Sequence, residues 1–374
     1  MLSTEDNLRL NVLLAQQLYA VRIDESKMIV YALTAKGEAK VPLNPTGRDE
    51  AYIREVKALF STHVMDSPGG YPVFLKRWTR MGQARDDSLV QMLLLGEPEA
   101  VVAVVHAPGL TDELAARAWW AMPNAENARC MLQRQAVVEG KTGKQLAAFL
   151  MEFLPFEEQQ QAMIESVRLV LQPGLISAEE KQSLWDRAQT KRSFYVGFLH
   201  GCPDNLPVSV DAHPLYHQVK RVFAGQHNEQ YSDNIYVQYL LKVFSPAGQA
   251  FLQTSIKALS KPNNQDVVIA LLDAIAACFA GVKPDCCIAE DINIISQQAE
   301  IRCFSNHQPI QAVLTEMPEM QPYLRAMLVL ASLSVKLLNP IFSRSDAIGT
   351  VMRKKIKPVT DPVFEQLYLL RYSS

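Results

Sequence analysis

Two stretches of this chain are written almost alike. "VVHAPGLTDELAARAWW" runs from Val104 to Trp120, and "LVLQPGLISAEEKQSLW" from Leu169 to Trp185. Each reads as an apolar run, Pro-Gly-Leu, a helix-start signal and a helix carrying tryptophan, with Pro108 and Pro173 standing 65 positions apart. In the first copy Thr111 is an N-cap followed by Asp112 and Glu113, whose charges oppose the positive end of the helix dipole. In the second, Ser177 has Glu180 three residues on, the spacing of a capping box. Proline stops the preceding helix, and glycine supplies the left-handed residue that a helix C-terminus favours.

The copies differ by one residue between the glycine and the cap. Alignment on the caps places Leu114, Ala115, Ala118, Trp119 and Met122 on one stripe, and Leu184, Trp185 and Ala188 on the equivalent one. Trp119 is then the counterpart of Trp185. Trp120 is left without a twin: either its helix is covered on two sides, or Trp120 faces a groove and anchors a partner. A period near 65 residues holds two helix pairs. The expected fold class is mainly α, built of stacked helical pairs in a HEAT-like α–α array.

The remainder of the chain fits that frame. Thr4 to Gln17 predicts a short helix with Leu8, Val12 and Leu13 on one side. Ala20–Ile23, Met28–Leu33 and the alternation after Gly37 predict a small antiparallel β meander. From Arg48 onward the texture is helical, with Tyr52, Ile53, Val56, Leu59 and Phe60 at helical spacing. The three prolines between His200 and Tyr216 mark a boundary. Three domains follow: 1–47 with the helix and meander, 48–203 with the repeat, and 204–374, also helical and ending in a helix over Asp361–Leu370.

Composition narrows the function classes. A formal net charge of −2 gives no broad attraction to nucleic acid or anionic lipid. "MLSTEDNLRL" lacks the basic and apolar regions of a signal peptide, and no apolar run approaches a span. The expectation is a cytoplasmic protein without a membrane span. The chain contains no GxxxxGK[ST], GxGxxG, HExxH or GxSxG, so no cofactor and no enzymatic reaction is expected. Cys286, Cys287, Cys303 and His307 supply four soft ligands within a short stretch, a weak candidate zinc set. The vicinal pair Cys286-Cys287 alternatively suggests thiol or persulfide chemistry, and core packing or helix capping accounts for the same cysteines without chemistry. His213 and His217 stand four apart without an acid in a metalloprotease arrangement, and read as surface or satisfied histidines. Two basic runs complete the candidates: Lys76, Arg77, Trp78 and Arg80 as a partner-binding patch, and Arg353, Lys354, Lys355 and Lys357 for nucleic acid.

Several stretches carry a resemblance: "NLRLNVLLA" from Asn7, "RIDES" from Arg22, "SPGGYPVFLKRWTRMGQ" from Ser67, "GEPEAVVAVVHAPGLTDELAARAWWAMP" from Gly96 and "MIESVRLVLQPGLI" from Met163. These resemble the sulfur reduction protein DsrS family, encoded with the dissimilatory sulfite reductase genes of sulfur-oxidising bacteria. The likeness covers about residues 1–200 and carries no catalytic residue over. It implies a cytoplasmic accessory or regulatory protein of dissimilatory sulfur oxidation, and the lack of any catalytic constellation makes the expected protein non-catalytic. Its partners would be other proteins of that machinery, reached through grooves between helices. Two alternatives stay open, a persulfide carrier using Cys286 or Cys287, and an RNA-binding regulator using the basic runs.

Overall fold

Alternation after residue 17 becomes a three-stranded antiparallel sheet in this computed structural model, which describes residues 2–65, 86–223, 231–284, 290–305 and 307–372. Helix α1 (Thr4–Leu14) leads into β1 (Leu18–Asp24), β2 (Ile29–Thr34) and β3 (Gly37–Pro42), which pair in that order. Val21 stands opposite Ala32, and Val30 opposite Val41. Side chains alternate along a strand, so these four point to one face. They pack there on Leu10, Leu13 and Leu14 of α1 and on Tyr52, Ile53, Val56 and Phe60 of α2 (Asp49–Met65). The other face carries the cross-strand row Arg22, Tyr31 and Lys40.

Helix α1 turns a different side inward from the one its sequence suggests. Leu8 and Val12 are exposed, whereas Leu10, Leu13, Leu14 and Asp6 are buried. Asp6 explains the rotation. Its carboxylate accepts hydrogen bonds from the Tyr52 hydroxyl and the Asn44 backbone N–H, so a buried charge is satisfied and α1 is pinned to α2 and the loop after β3.

The chain divides into two compact units, Met1–Phe153 and Leu154–Ser374. Unit 1 continues with α3 (Asp86–Met92), α4 (Pro98–His106), α5 (Asp112–Ala121), α6 (Ala125–Met131), α7 (Gln135–Val138) and α8 (Lys141–Phe153). Unit 2 holds α9 (Gln160–Val170), α10 (Ala178–Arg187), α11 (Arg192–Gly201), α12 (Tyr216–Phe223), α13 (Ile235–Phe244), α14 (Pro246–Ser260), α15 (Gln265–Cys278), α16 (Ile292–Phe304), α17 (Gln308–Glu316), α18 (Gln321–Ala331), α19 (Asn339–Phe342) and α20 (Gly349–Leu370). The molecule is thus mainly helical with one small N-terminal sheet. Among the described residues no helix is long and apolar enough to cross a membrane.

These units differ from the three expected domains. The meander of 1–47 shares one core with α2, so it is no separate body. The break expected near 203 falls inside unit 2, where α9 and α11 pack on α15, and α11 also on α14. The proline-rich stretch there is folded. His213 is buried in an aromatic cage of Phe244 at 4.3 Å, Tyr323 at 5.7 Å and Tyr372 at 6.1 Å, centroid to centroid, and its Nδ1 accepts the Leu215 N–H. His217 is exposed, as expected.

Both repeat copies form helix-to-helix corners, one in each unit, but only the second has the expected left-handed glycine: Gly174 has φ +79°, whereas Gly109 does not have a positive φ. Thr111 Oγ1 accepts the Leu114 N–H, and Ser177 and Glu180 close a reciprocal capping box. Trp119 and Trp185 are each 8% exposed, as the cap alignment requires.

The C-terminal helix departs most from expectation. It starts at Gly349 rather than Asp361 and runs through Pro358 and Pro362. Interior proline deletes an intrahelical hydrogen bond and crowds the preceding turn. The apolar stripe Met352, Ile356, Val359, Val363, Leu367 and Leu370, buried along the full helix, outweighs that cost.

Candidate functional site

A small cleft of about 240 Å³ opens in unit 2 where α9, α11 and α15 converge. Its walls follow from helical spacing. Gln161, Ile164, Glu165 and Arg168 recur on one face of α9, Ile269, Ala270 and Asp273 on one face of α15, and His200 comes from the last turn of α11. The close fit of α11 against α9 depends on Gly197, where a Cβ would lie 2.6 Å from the Val167 Cβ. A larger residue there would push α11, and His200 with it, away from α9.

The polar groups of the cleft are arranged with some asymmetry. His200 Nε2 donates to the Ala270 carbonyl at 2.8 Å. A carbonyl only accepts, so the proton sits on Nε2 and the basic lone pair on Nδ1. Burial lowers the pKa of His200, and the nearby Arg168 guanidinium pushes in the same direction against the Ala270 bond and Asp273. The imidazole is therefore neutral at pH 7. Asp273 reaches solvent, yet its apolar surroundings raise its pKa, with His200 opposing. Arg168 and Glu165 approach to 3.8 Å one turn apart on α9.

The residues singled out in the sequence fall elsewhere. Cys303 is buried in α16, and burial raises its thiol to about 11, so it is mostly protonated at neutral pH. His307 stands at the N-cap position of α17, its ring edge-on to Tyr236 at 5.7 Å and its Nδ1 buried without a hydrogen-bond partner among the described residues. Cys286 and Cys287, the other half of the candidate zinc set, lie outside the described residues, as do Lys76, Arg77, Trp78 and Arg80. Among the described residues no three His, Cys, Asp or Glu side chains are grouped closely enough to hold a metal ion.

Trp120 is half-buried and engaged within unit 1. Its indole N–H donates to Glu38 at 3.2 Å, and the Arg22 guanidinium lies 5.0 Å from its ring centre. Helix α5 is thus covered on two sides, by the helical core and by the outer face of the sheet. In the basic run on α20, Arg353 donates to the Pro262 carbonyl and to Thr350, and Lys355 to Ser345. Lys354 and Lys357 are exposed.

A further surface stands out on α16. Ile292, Ile295, Ala299 and Cys303 are buried, while Ile301 and Phe304 on the other side are 68% and 67% exposed, with Ile294 a further two turns back. The helix is apolar on two faces, and among the described residues only one of them is buried.

None of this was reachable by spacing alone. Gln161, Glu165 and Arg168 read as an ordinary solvent face of α9, and His200 as one scattered histidine. Compared with known proteins, the chain matches no family model, no curated protein and no solved structure.

Proposed function

We propose that this chain is a non-enzymatic accessory protein that works by docking another protein on a helical face. The setting is cytoplasmic sulfur oxidation, a reading supported by the sequence resemblance alone. The observation that carries the docking reading is the outer face of α16. Ile301 and Phe304 form an exposed apolar pair one turn apart, with Ile294 two turns back beyond Gln297, and exposed apolar patches of this kind mark association surfaces. The partner is a protein of the sulfur-oxidation machinery that offers an apolar surface to this patch. Gln297, Glu300 and Ser305 flank it and set a polar rim, a position where charge affects association rate more than affinity.

The test compares the wild-type chain with an Ile301→Asp/Phe304→Asp variant as baits in cells oxidising stored sulfur. Both positions face solvent, so the variant keeps its fold. The expected result is a stoichiometric partner from that machinery, lost in the variant. Retrieval of the same proteins by both baits, or no specific partner at native abundance, overturns the reading.

A further inference from the structure

The cleft between α9, α11 and α15 is independent of the α16 face and has a chemistry of its own. Its hydrogen-bond donors stand on one wall, where the Glu165 carboxylate lies 3.8 Å from Arg168. Helix α9 offers the Arg168 guanidinium and the Gln161 amide as donors. Across from it, α11 and α15 offer the His200 Nδ1 lone pair and the Asp273 carboxylate as acceptors. His200 makes no second hydrogen bond among the described residues, and its Nδ1 is not sealed from solvent, so the lone pair is available. The tautomer is locked by the Ala270 carbonyl, which keeps that lone pair in place whether or not a ligand is present. Ile164 and Ile269 supply apolar wall between the two polar sets.

The arrangement discriminates among ligand classes. A simple anion drawn to Arg168 meets two carboxylates, Asp273 and Glu165, with no positive charge of its own to offset them. A simple amine drawn to Asp273 meets Arg168. A metal ion lacks three ligands in reach among the described residues. A ligand carrying both charges satisfies both walls. The volume, about 240 Å³, lies below the range of drug-sized sites, so the ligand is small. We propose that this cleft binds an amino-acid-like zwitterion, with its ammonium held by Asp273 and His200 Nδ1, its carboxylate by Arg168, and a short aliphatic side chain against Ile164 and Ile269.

The test uses the full chain with ring-¹⁵N-labelled histidine and L-alanine as the probe. The chain has seven histidines, and His200→Gln, which keeps a donor for the Ala270 carbonyl, identifies the His200 signals by their loss. L-alanine is expected to shift those signals saturably. Asp273→Asn and Arg168→Gln, both at solvent-reaching side chains, should each weaken binding at least about tenfold, as should replacing the probe by methylamine or by acetate. A circular dichroism spectrum matching wild type certifies each variant as folded. Absence of a saturable shift up to about 50 mM L-alanine overturns the proposal. So does methylamine or acetate binding as tightly as L-alanine, or an affinity unchanged in both variants.

Discussion

Thr111 and Ser177 open helices that begin alike and end in different company. Both cap with a side-chain oxygen, and both place a tryptophan against an aromatic partner, Trp119 on Phe149 at 4.8 Å and Trp185 on Tyr195 and Phe198 at 5.0 Å. The other side of α5 meets the sheet: Arg117 lies over Tyr19 at 4.6 Å, and Trp120 beneath Arg22. The other side of α10 is exposed and polar, with Gln182, Ser183, Asp186 and Arg187. The local code for a corner is therefore short and transferable. What covers the far face of a helix is decided by segments distant in sequence.

Experiments that perturb the two corners in parallel sharpen this comparison. The largest effect is expected from Trp119→Ala and Trp185→Ala, each costing about 3–5 kcal/mol in urea unfolding, because each empties a packed aromatic contact. A loss near zero at either position would break the equivalence of the copies.

Asp112 comes next. Its carboxylate accepts the Lys141 and Thr142 backbone N–H groups, both at 3.0 Å, and so caps α8 from a neighbouring helix. Asp112→Ala should cost about 1–2 kcal/mol. The second copy already has alanine at the matching position, Ala178, and asks nothing of it.

The corner glycines should separate the copies as well. Gly174 has φ +79°, whereas Gly109 is not left-handed, because α4 ends in an extended Ala107. Gly174→Ala should therefore cost about 1 kcal/mol, and Gly109→Ala should be near neutral, both read from unfolding midpoints. Equal costs would mean the two turns are alike after all.

Acid should act on unit 2 through His200, His213 and His307, all pushed down by burial. The unfolded chain takes up these protons first, as pH falls below about 6.5. Their contribution to stability is thus full above that value, declines between it and the lower folded pKa values, and is flat below them. Unfolding midpoints measured between pH 7.5 and pH 5.5 should fall accordingly. An unchanged midpoint would place the imidazoles in solvent.

The smallest perturbation is chemical. Burial raises Cys278 to about 12 and Cys303 to about 11. At pH 8 the thiolate of Cys303 is then on the order of one molecule in a thousand, so native alkylation by iodoacetamide should be far slower there than in the urea-unfolded chain. Rapid native labelling of Cys303 would show that α16 opens.

The caps, the meander and the equivalence of the two tryptophans were legible because each rests on signals local to its own segment. The division into units was not. The proline-rich stretch after His200 has the composition of a linker, but Phe244, Tyr323 and Tyr372 close around His213 from far along the chain. The cleft was hidden for the same reason, since Arg168, His200 and Asp273 come from three helices whose order says nothing about which faces meet. Helix α20 misled through its prolines, whose local penalty is overridden by a buried stripe that only the assembled unit supplies.

That last helix also sets a schedule. With prolines at two interior positions, α20 is a poor helix on its own and takes shape on α14 and α18. Buried Gln249 then fastens its end, donating to the Leu370 carbonyl and accepting the Tyr372 N–H. Unit 2 therefore has no complete core until residue 370 has left the ribosome, whereas unit 1 has all of its own once Phe153 emerges. During synthesis the first unit can stand folded while the second waits, its apolar helices uncovered, for the strand of chain that closes it.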